Sequence, residues 1–335
     1  MLKIALLSAW HVHTRWFVKG LEDSGEGHIC VVWDDDIARG EKMAADLGVP
    51  FEPDLDKVLA MEDIEAVMVE CATTKHTEVI LKAAAAKKHI FCDKALALHS
   101  DEVAQIREAV EKNGVKFMLS LESKIIGCYN YATQMVKSGK LGRITAVYFR
   151  RAHMAALTDM LPDYWFDTAQ TGGGVTLDLG CHGFYMLPQL CGKPKTVSCR
   201  MQELYGTGGD ESSTTIIEFE NGCIGTAHTS FVSYKMDNLL EIIGTEGILV
   251  ISGEPDGGNF TVLLQCKNIP GYEQKQNVPL SEIPESDPLP IVQFARMVKS
   301  EASCVPGYDI EVAATLTRLI ECAYESAKTG RVVDF

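Results

Sequence analysis

The residues of this chain best suited to chemistry by type and spacing are Asp178 and His182, four positions apart. On a helix that spacing puts both side chains on one face, within contact range. Gly172, Gly173 and Gly174 come just before them and permit a close backbone approach or a sharp entry. An imidazole titrates near neutrality and suits proton transfer, and a neighbouring carboxylate can orient it. On these residues alone, a capped helix with a satisfied core histidine is the simpler account. Lys94 follows a short apolar strand in mostly apolar surroundings. It is either a surface lysine closing a loop or a cation that stabilises negative charge developing on a substrate oxygen. His11 and His13 form a His-x-His pair. A pair falls short of the ligands a metal site requires, so no metal is expected there. Local hydrogen bonding is the expected role, or donation to phosphates by one of the two.

The elements that must position these residues fall into two halves. Short apolar runs at 2–7, 29–33, 65–71, 89–92 and 116–119 read as buried strands. Helical patterns at 13–23, 38–47, 78–88 and 100–112 alternate with them. Gly48 and Asn113-Gly114 stop two of these helices, and Ser100 with Asp101 and Glu102 starts one. Strand–helix alternation with short apolar strands predicts a parallel sheet covered on both faces, with ligands at the carboxyl ends of its strands.

A standard dinucleotide-binding unit carries G-x-G-x-x-G after its first strand. Here that register reads Ser8-Ala9-Trp10-His11-Val12-His13, with no glycine, and Trp10 and His13 crowd the approach of a pyrophosphate. Asp34 ends the second strand, 34 − 13 = 21 residues beyond the turn. An acid about 20 residues on is placed to hold a ribose 2′-hydroxyl and repels a 2′-phosphate, which favours NAD over NADP.

Beyond about residue 120 the rhythm changes. A helix at 129–138 leads to a strand at 144–151, then to an irregular, aromatic-rich stretch at 153–171. Strands at 214–220 and 224–231 flank Asn221-Gly222, a hairpin signal, and strands at 239–243 and 248–251 flank 244–247. The last helix, 310–327, carries one apolar face and is free to pack on either half.

Cys92-Asp93-Lys94-Ala95-Leu96-Ala97 resembles the C-E-K-P-L-A signature of the Gfo/Idh/MocA family, named for glucose–fructose oxidoreductase and inositol dehydrogenase. Ala72-Thr73-Thr74-Lys75-His76 resembles its T-P-N-x-x-H loop. The run from Gly172 to His182 resembles its G-G-G-x-x-x-D-x-G-x-H motif, and the run from Ser138 to Ile144 its S-G-x-L-G-x-I. The match is collinear over nearly the whole chain, and order and spacing carry more weight than any single motif. The chain departs from the pattern at Asp93 for Glu and Ala95 for Pro. It departs again at Tyr185, where the family often has an acid, and at Glu122-Ser123-Lys124 in place of an N-R-R-type stretch.

The resemblance implies an N-terminal Rossmann domain over residues 1–120. It also implies a C-terminal α+β domain over 121–335, with an open, mainly antiparallel sheet that supports a homo-oligomer. It implies NAD-dependent hydride transfer on a secondary alcohol of a sugar, cyclitol or glycoside, with oxidation at C3 of a pyranose as a specific case. Lys94, Asp178 and His182 are then catalytic: His182 the general base, Lys94 polarising the oxygen, and Asp178 orienting His182 or binding a neighbouring hydroxyl. Ser8, Trp10, His11, Val12, His13, Asp34, Thr73, Thr74, His76, Asp93 and Lys94 line the NAD side. Glu122, Lys124, His153, Tyr164 and Trp165 are substrate contacts, since aromatic faces with polar tips suit sugars. Two other readings stand beside this one: an NAD-dependent glycosidase that works by transient oxidation and elimination, and a ligand sensor that has lost the cofactor with the glycines.

Composition narrows the partners. Lys plus Arg number 31 and Asp plus Glu 46, for a formal charge of −15, which disfavours nucleic acid and anionic membranes. No apolar run approaches the roughly 20 residues needed to span a bilayer, and the N-terminal apolar run is too short for a signal peptide, so a cytoplasmic location is expected. The eleven cysteines include no C-x-x-C pair and sit mostly in apolar runs, as reduced core residues do.

Overall fold

The structure, a computed structural model, describes residues 1–235 and 238–335. It divides into two compact units: Met1–Leu121 with Ala169–Gly172 and Pro288–Thr317, and Glu122–Thr168 with Gly173–Asp287 and Arg318–Phe335.

The first unit alternates as its apolar runs require: β1 (Leu2–Leu7), α1 (Thr14–Ser24), β2 (Gly27–Trp33), α2 (Ile37–Leu47), α3 (Leu55–Leu59), β3 (Ala66–Val69), α4 (His76–Ala85), β4 (His89–Cys92), α5 (Ser100–Asn113) and β5 (Phe117–Leu119). The strands form one parallel sheet in the order β2-β1-β3-β4-β5. Ile4, Leu6, Val67, Met68, Ile90 and Phe91 are buried, the pattern of strands covered on both faces. Helix ends follow their local chemistry. Asp36 accepts the N–H of Arg39 at the start of α2, while Gly25, Gly48 and Gly114 take the left-handed conformation that closes α1, α2 and α5. Phe17 meets Phe91 edge-on and Phe294 meets it at a tilt, with centroids 5.4 and 5.7 Å apart, which locks α1 to the sheet.

The second unit holds α6 (Gly127–Lys137) and β6 (Ile144–Ala152); α7 (Thr168–Thr171) begins in it and lies mostly in the first unit; α8 (Val175–Asp178), α9 (Gly180–Cys191), β7 (Pro194–Gln202), β8 (Ser212–Phe219), β9 (Ile224–Ser230), β10 (Asn238–Gly244), β11 (Gly247–Glu254), β12 (Asn259–Cys266) and β13 (Gln276–Asn277) belong to the second. Helix α10 (Pro290–Val298) belongs to the first unit, α11 (Ile310–Thr329) carries the boundary at 317/318, and β14 (Val333–Asp334) returns to the second. Among the described residues nine strands form a mixed, mostly antiparallel sheet, β13-β12-β11-β10-β6-β9-β8-β7-β14, in which β6 and β9 run parallel. The Asn221-Gly222 hairpin joins β8 to β9 as its residues demand. The aliphatic sheet face receives α9, whose Gly183 packs against Ala227. On the other face Tyr148, Thr226 and Ile216 stand side by side across β6, β9 and β8, with Tyr148 and Ile216 exposed.

The sequence reading did not anticipate β7, β12 or α10. β7 opens on Pro194 and carries Lys195 and Arg200, which interrupt its apolar run, whereas α10 carries an apolar face of Ile291, Phe294 and Ala295 behind Pro284, Pro288 and Pro290.

Gly174 is set against Asp210, whose backbone N and O a Cβ at 174 would strike. Gly174→Ala is expected to cost about 1–3 kcal/mol in urea unfolding. Gly257→Ala, with nothing within 4 Å of its Cβ position, should stay within about 0.5 kcal/mol of wild type. Equal effects at the two positions would contradict this packing.

Candidate active site

The candidate side chains fall into two sets, one on each unit. In the first, β1 ends in a turn whose left-handed residue is Ser8, at φ 75°, a conformation glycine adopts at least cost. Ser8 Oγ accepts the N–H of Trp10 at 3.2 Å, which supports the turn from within. Trp10 is buried and donates from Nε1 to Gln170 Oε1 at 3.0 Å. The backbone N–H of His11 donates to Glu70 O at 3.0 Å, tying the turn to the end of β3. Val12 and Trp16 are exposed beside it.

Asp93, just past β4, is fully buried and gathers this turn. Its Oδ2 lies 2.8 Å from His11 Nδ1 and 3.1 Å from His13 Nδ1, and its Oδ1 accepts the backbone N–H of Lys94 at 2.8 Å. Burial alone would raise the Asp93 pKa, but the two imidazoles outweigh it and hold the carboxyl well below the usual range. Burial lowers the pKa of His11, against the opposing pull of Asp93. Lys94 itself is buried, and the Lys94–Ala95 peptide is cis.

Asp34 is also buried, and its oxygens are engaged within the chain. Oδ2 accepts Ala9 N–H at 2.8 Å and Arg39 Nε at 3.0 Å, and Oδ1 accepts Asp36 N–H at 3.0 Å and an Arg39 guanidinium nitrogen at 2.5 Å. Arg39 reaches Asp35 too, and Lys75 pairs with Asp35. The carboxylate expected to meet a ribose is thus braced by a guanidinium that the sequence reading left out. Thr73 is buried on the turn after β3, and Thr74 Oγ1 donates to Gln170 O at 2.9 Å. His76 is turned inward, with Nε2 2.9 Å from Cys71 O and Nδ1 3.0 Å from Ala95 O.

The dinucleotide phosphates fit one feature of this unit. No side chain caps α1, so its first turn offers backbone N–H groups and the positive end of the helix dipole. Ser8 supplies the sharp turn in place of glycine.

In the second unit α8 and α9 meet at Leu179, so Asp178 ends one helix and His182 lies in the next, rather than both sharing one continuous helix. Asp210 starts α8 by accepting the N–H groups of Gly174 and Thr176, at 3.1 and 2.7 Å, and Tyr324 donates to the same carboxylate at 2.7 Å. Asp178 accepts Trp165 Nε1 at 3.2 Å. His182 is buried, with Nδ1 2.5 Å from the Tyr185 hydroxyl and 3.0 Å from Ser123 Oγ. The Tyr185 oxygen also accepts Ser123 N–H at 3.0 Å. Burial, with Glu122 nearby, pushes the Tyr185 pKa well up, so the phenol keeps its proton and can donate. Arg151 donates to Ser123 Oγ at 3.3 Å and pairs with Asp256 at 2.9 Å. His182 Nδ1 therefore has a donor in Tyr185 and an acceptor in Ser123, so both neutral tautomers are supported.

Glu122 and Lys124 are buried on the turn before α6. His153 stacks on Phe231 at 5.2 Å and 17°, and Tyr164 and Trp165 lie on one short turn, Trp165 buried. Ser123, Tyr185, Arg151, Asp256 and Asp210 were not expected as parts of the site. Tyr185 and Ser123 were visible in the sequence only as departures from the family pattern.

A parallel β2-β1-β3-β4-β5 sheet with an anion-ready helix start, joined in one chain to an open mixed sheet and a helix that bears a buried histidine, defines a Rossmann oxidoreductase class. Residues 8–121 match the family described as an oxidoreductase family with an NAD-binding Rossmann fold, and residues 129–250 match the GFO/IDH/MocA C-terminal domain. The chain belongs to the GFO/IDH/MocA oxidoreductase family.

It is 28% identical over 199 residues to uncharacterized oxidoreductase YrbE of Bacillus subtilis, over 55% of this chain and about half, 54%, of that protein. It is 25% identical over 302 residues to D-xylose 1-dehydrogenase (NADP(+)) 2 of Haloferax volcanii, over 89% of each. It shares the fold of levoglucosan dehydrogenase solved with NADH and levoglucosan, at a TM-score of 0.86 and 18% identity, over 99% of each chain. Among the described residues no helix is long and apolar enough to cross a membrane.

His76 is wholly buried, and burial lowers its pKa against two backbone hydrogen bonds that raise it. The unfolded chain therefore binds this proton first, and the His76 contribution, complete above about pH 6.5, is lost as pH falls. His76→Gln is expected to shallow the fall of Tm between about pH 6.5 and 5. An unchanged or steeper slope in the variant would refute this assignment.

Proposed function

We propose that this protein is an NAD-dependent dehydrogenase acting on a secondary alcohol of a sugar, cyclitol or glycoside, with C3 of a pyranose the specific candidate. The observation that carries the reading is the buried His182, whose Nδ1 sits between a phenol and a serine hydroxyl. That arrangement lets Nε2 either take or return a proton, as a reversible alcohol–ketone interconversion requires. The family membership and the carbohydrate names of the relatives support the substrate class.

NAD, when bound, supplies the hydride acceptor; the first turn of α1, Ser8, Thr73 and Thr74 are the residues that would hold it, with the braced Asp34–Arg39 pair at the end of β2. The chain's own groups do the remaining work. His182 accepts the hydroxyl proton in oxidation and donates it in reduction. Lys94 stabilises negative charge on the reacting oxygen. Asp178, held by Trp165, binds a neighbouring hydroxyl or fixes the orientation of His182.

Nucleotide released from the denatured protein should be NAD(H), and the apo-protein should bind NADH more tightly than NADPH in a fluorescence titration. His182→Ala and Lys94→Ala, folded like wild type, should each lose about 10²- to 10⁴-fold in hydride transfer. Full activity in both would sink the mechanism. Absence of any nucleotide binding would favour a sensor, and aglycone release without net NADH a glycosidase.

The exposed row of Tyr148 and Ile216 on the large sheet supports a homo-oligomer built on that face. Ile216→Arg should lower the mass measured by light scattering to that of a monomer; an unchanged oligomer would place the interface elsewhere.

A further inference from the structure

We propose that His11, His13 and Asp93 bind a divalent first-row metal ion of the zinc or cobalt type, and that an open coordination position on it takes a phosphate oxygen. His-x-His alone offered too few ligands, and the third comes from 80 residues on in sequence, at the end of β4. The three ligand atoms lie within 4.8 Å of one another, and Oδ2 is 2.8 and 3.1 Å from the two Nδ1 atoms. A tetrahedral ion with nitrogen and oxygen bonds near 2.1 Å has ligand–ligand edges of about 3.4 Å, so small shifts suffice to close on it.

The frame is already rigid. Asp93 is pinned through Oδ1 by Lys94 N–H, His11 N–H is tied to Glu70 O, and the rings of His11 and His13 lie 4.6 Å apart, with His13 edge-on to Phe17. Two imidazoles and one carboxylate satisfy a first-row ion of this type and leave a position open.

Charge and tautomer argue the same way. A ring that donates Nδ1–H to Asp93 is left with Nε2 as an acceptor, which repels a phosphate oxygen, and His11 Nδ1 also accepts the backbone N–H of His13 at 3.2 Å. Ligation through Nδ1 moves the hydrogen to Nε2 and turns the rings into donors. The cation also gives a turn without glycines, in a chain of net charge −15, the local positive charge that an anion requires. The phosphate half of this inference rests on the dinucleotide reading above, and the metal half does not.

The test is a Co²⁺ titration of the chelator-treated full-length protein by calorimetry and visible absorption. The expected result is one ion per chain with d–d bands and no thiolate-to-cobalt charge transfer, which separates this site from the cysteines. Asp93→Asn and His13→Gln should weaken binding at least about 100-fold, with folding checked by circular dichroism. The half-buried His13 decides the matter if the Asp93 variant misfolds. No stoichiometric binding, a thiolate band, or undiminished binding by His13→Gln would overturn the site. NADH titrations with and without Zn²⁺ test the second half: about tenfold tighter binding with the ion is expected in wild type and not in His13→Gln. Equal NADH affinity with and without Zn²⁺ would overturn the phosphate role. Failure to bind NADH in either state would overturn the dinucleotide reading, while the metal site would still stand or fall by the Co²⁺ titration.

Discussion

A buried carboxylate organises the first unit. Asp93 has no exposed surface, and an ionised carboxylate in such a place is tolerated only when its oxygens are filled by strong donors. Its partners are therefore dictated: the N–H of Lys94 on one oxygen, His11 and His13 on the other. That one constraint joins the end of β4 to the turn after β1, fixes the backbone on which Lys94 stands, and sets the orientation of two imidazoles where relatives of this fold class ordinarily carry glycine.

The second unit solves a similar problem with neutral groups. His182 is buried, and its Nδ1 meets a phenol and a serine hydroxyl. Ser123 in turn accepts from Arg151, whose charge is balanced by Asp256. The usual acid three residues beyond the histidine is thus replaced by Tyr185, whose raised pKa keeps it a donor. The phenol and the Ser123 hydroxyl together can meet either tautomer of the ring at Nδ1. The helix start that carries Asp178 depends on Asp210, more than thirty residues away in sequence, because Gly174 and its neighbours bring no capping side chain of their own.

Asp34 illustrates how a motif residue changes meaning in context. Its position at the end of β2 is that of a ribose acceptor, yet it meets Arg39, Ala9 and Asp36 within its own chain. Arg39 is itself held by Asp34 and Asp35, which offset the burial that would lower its pKa. The pair is a fixed ion pair at the strand end, a different recognition surface from a lone carboxylate.

The sequence by itself determined the alternation of buried strands and helices up to residue 119, the Asn221-Gly222 hairpin, the left-handed glycine closures at Gly48 and Gly114, and the collinear motifs that pointed to Lys94, Asp178 and His182. These features are local: apolar period, turn chemistry and caps act over a few residues and leave their mark in the chain. Tertiary structure alone decided the rest. It brought Asp93 to His11 and His13, Arg39 to Asp34, and Ser123, Tyr185 and Arg151 to His182, and it split the expected Asp178–His182 helix at Leu179. Strand β7 joined the sheet although Pro194, Lys195 and Arg200 blurred its periodicity. The physical reason is that burying a charge or an imidazole is decided by which distant donors arrive beside it, and the spacing of residues along a chain does not record that.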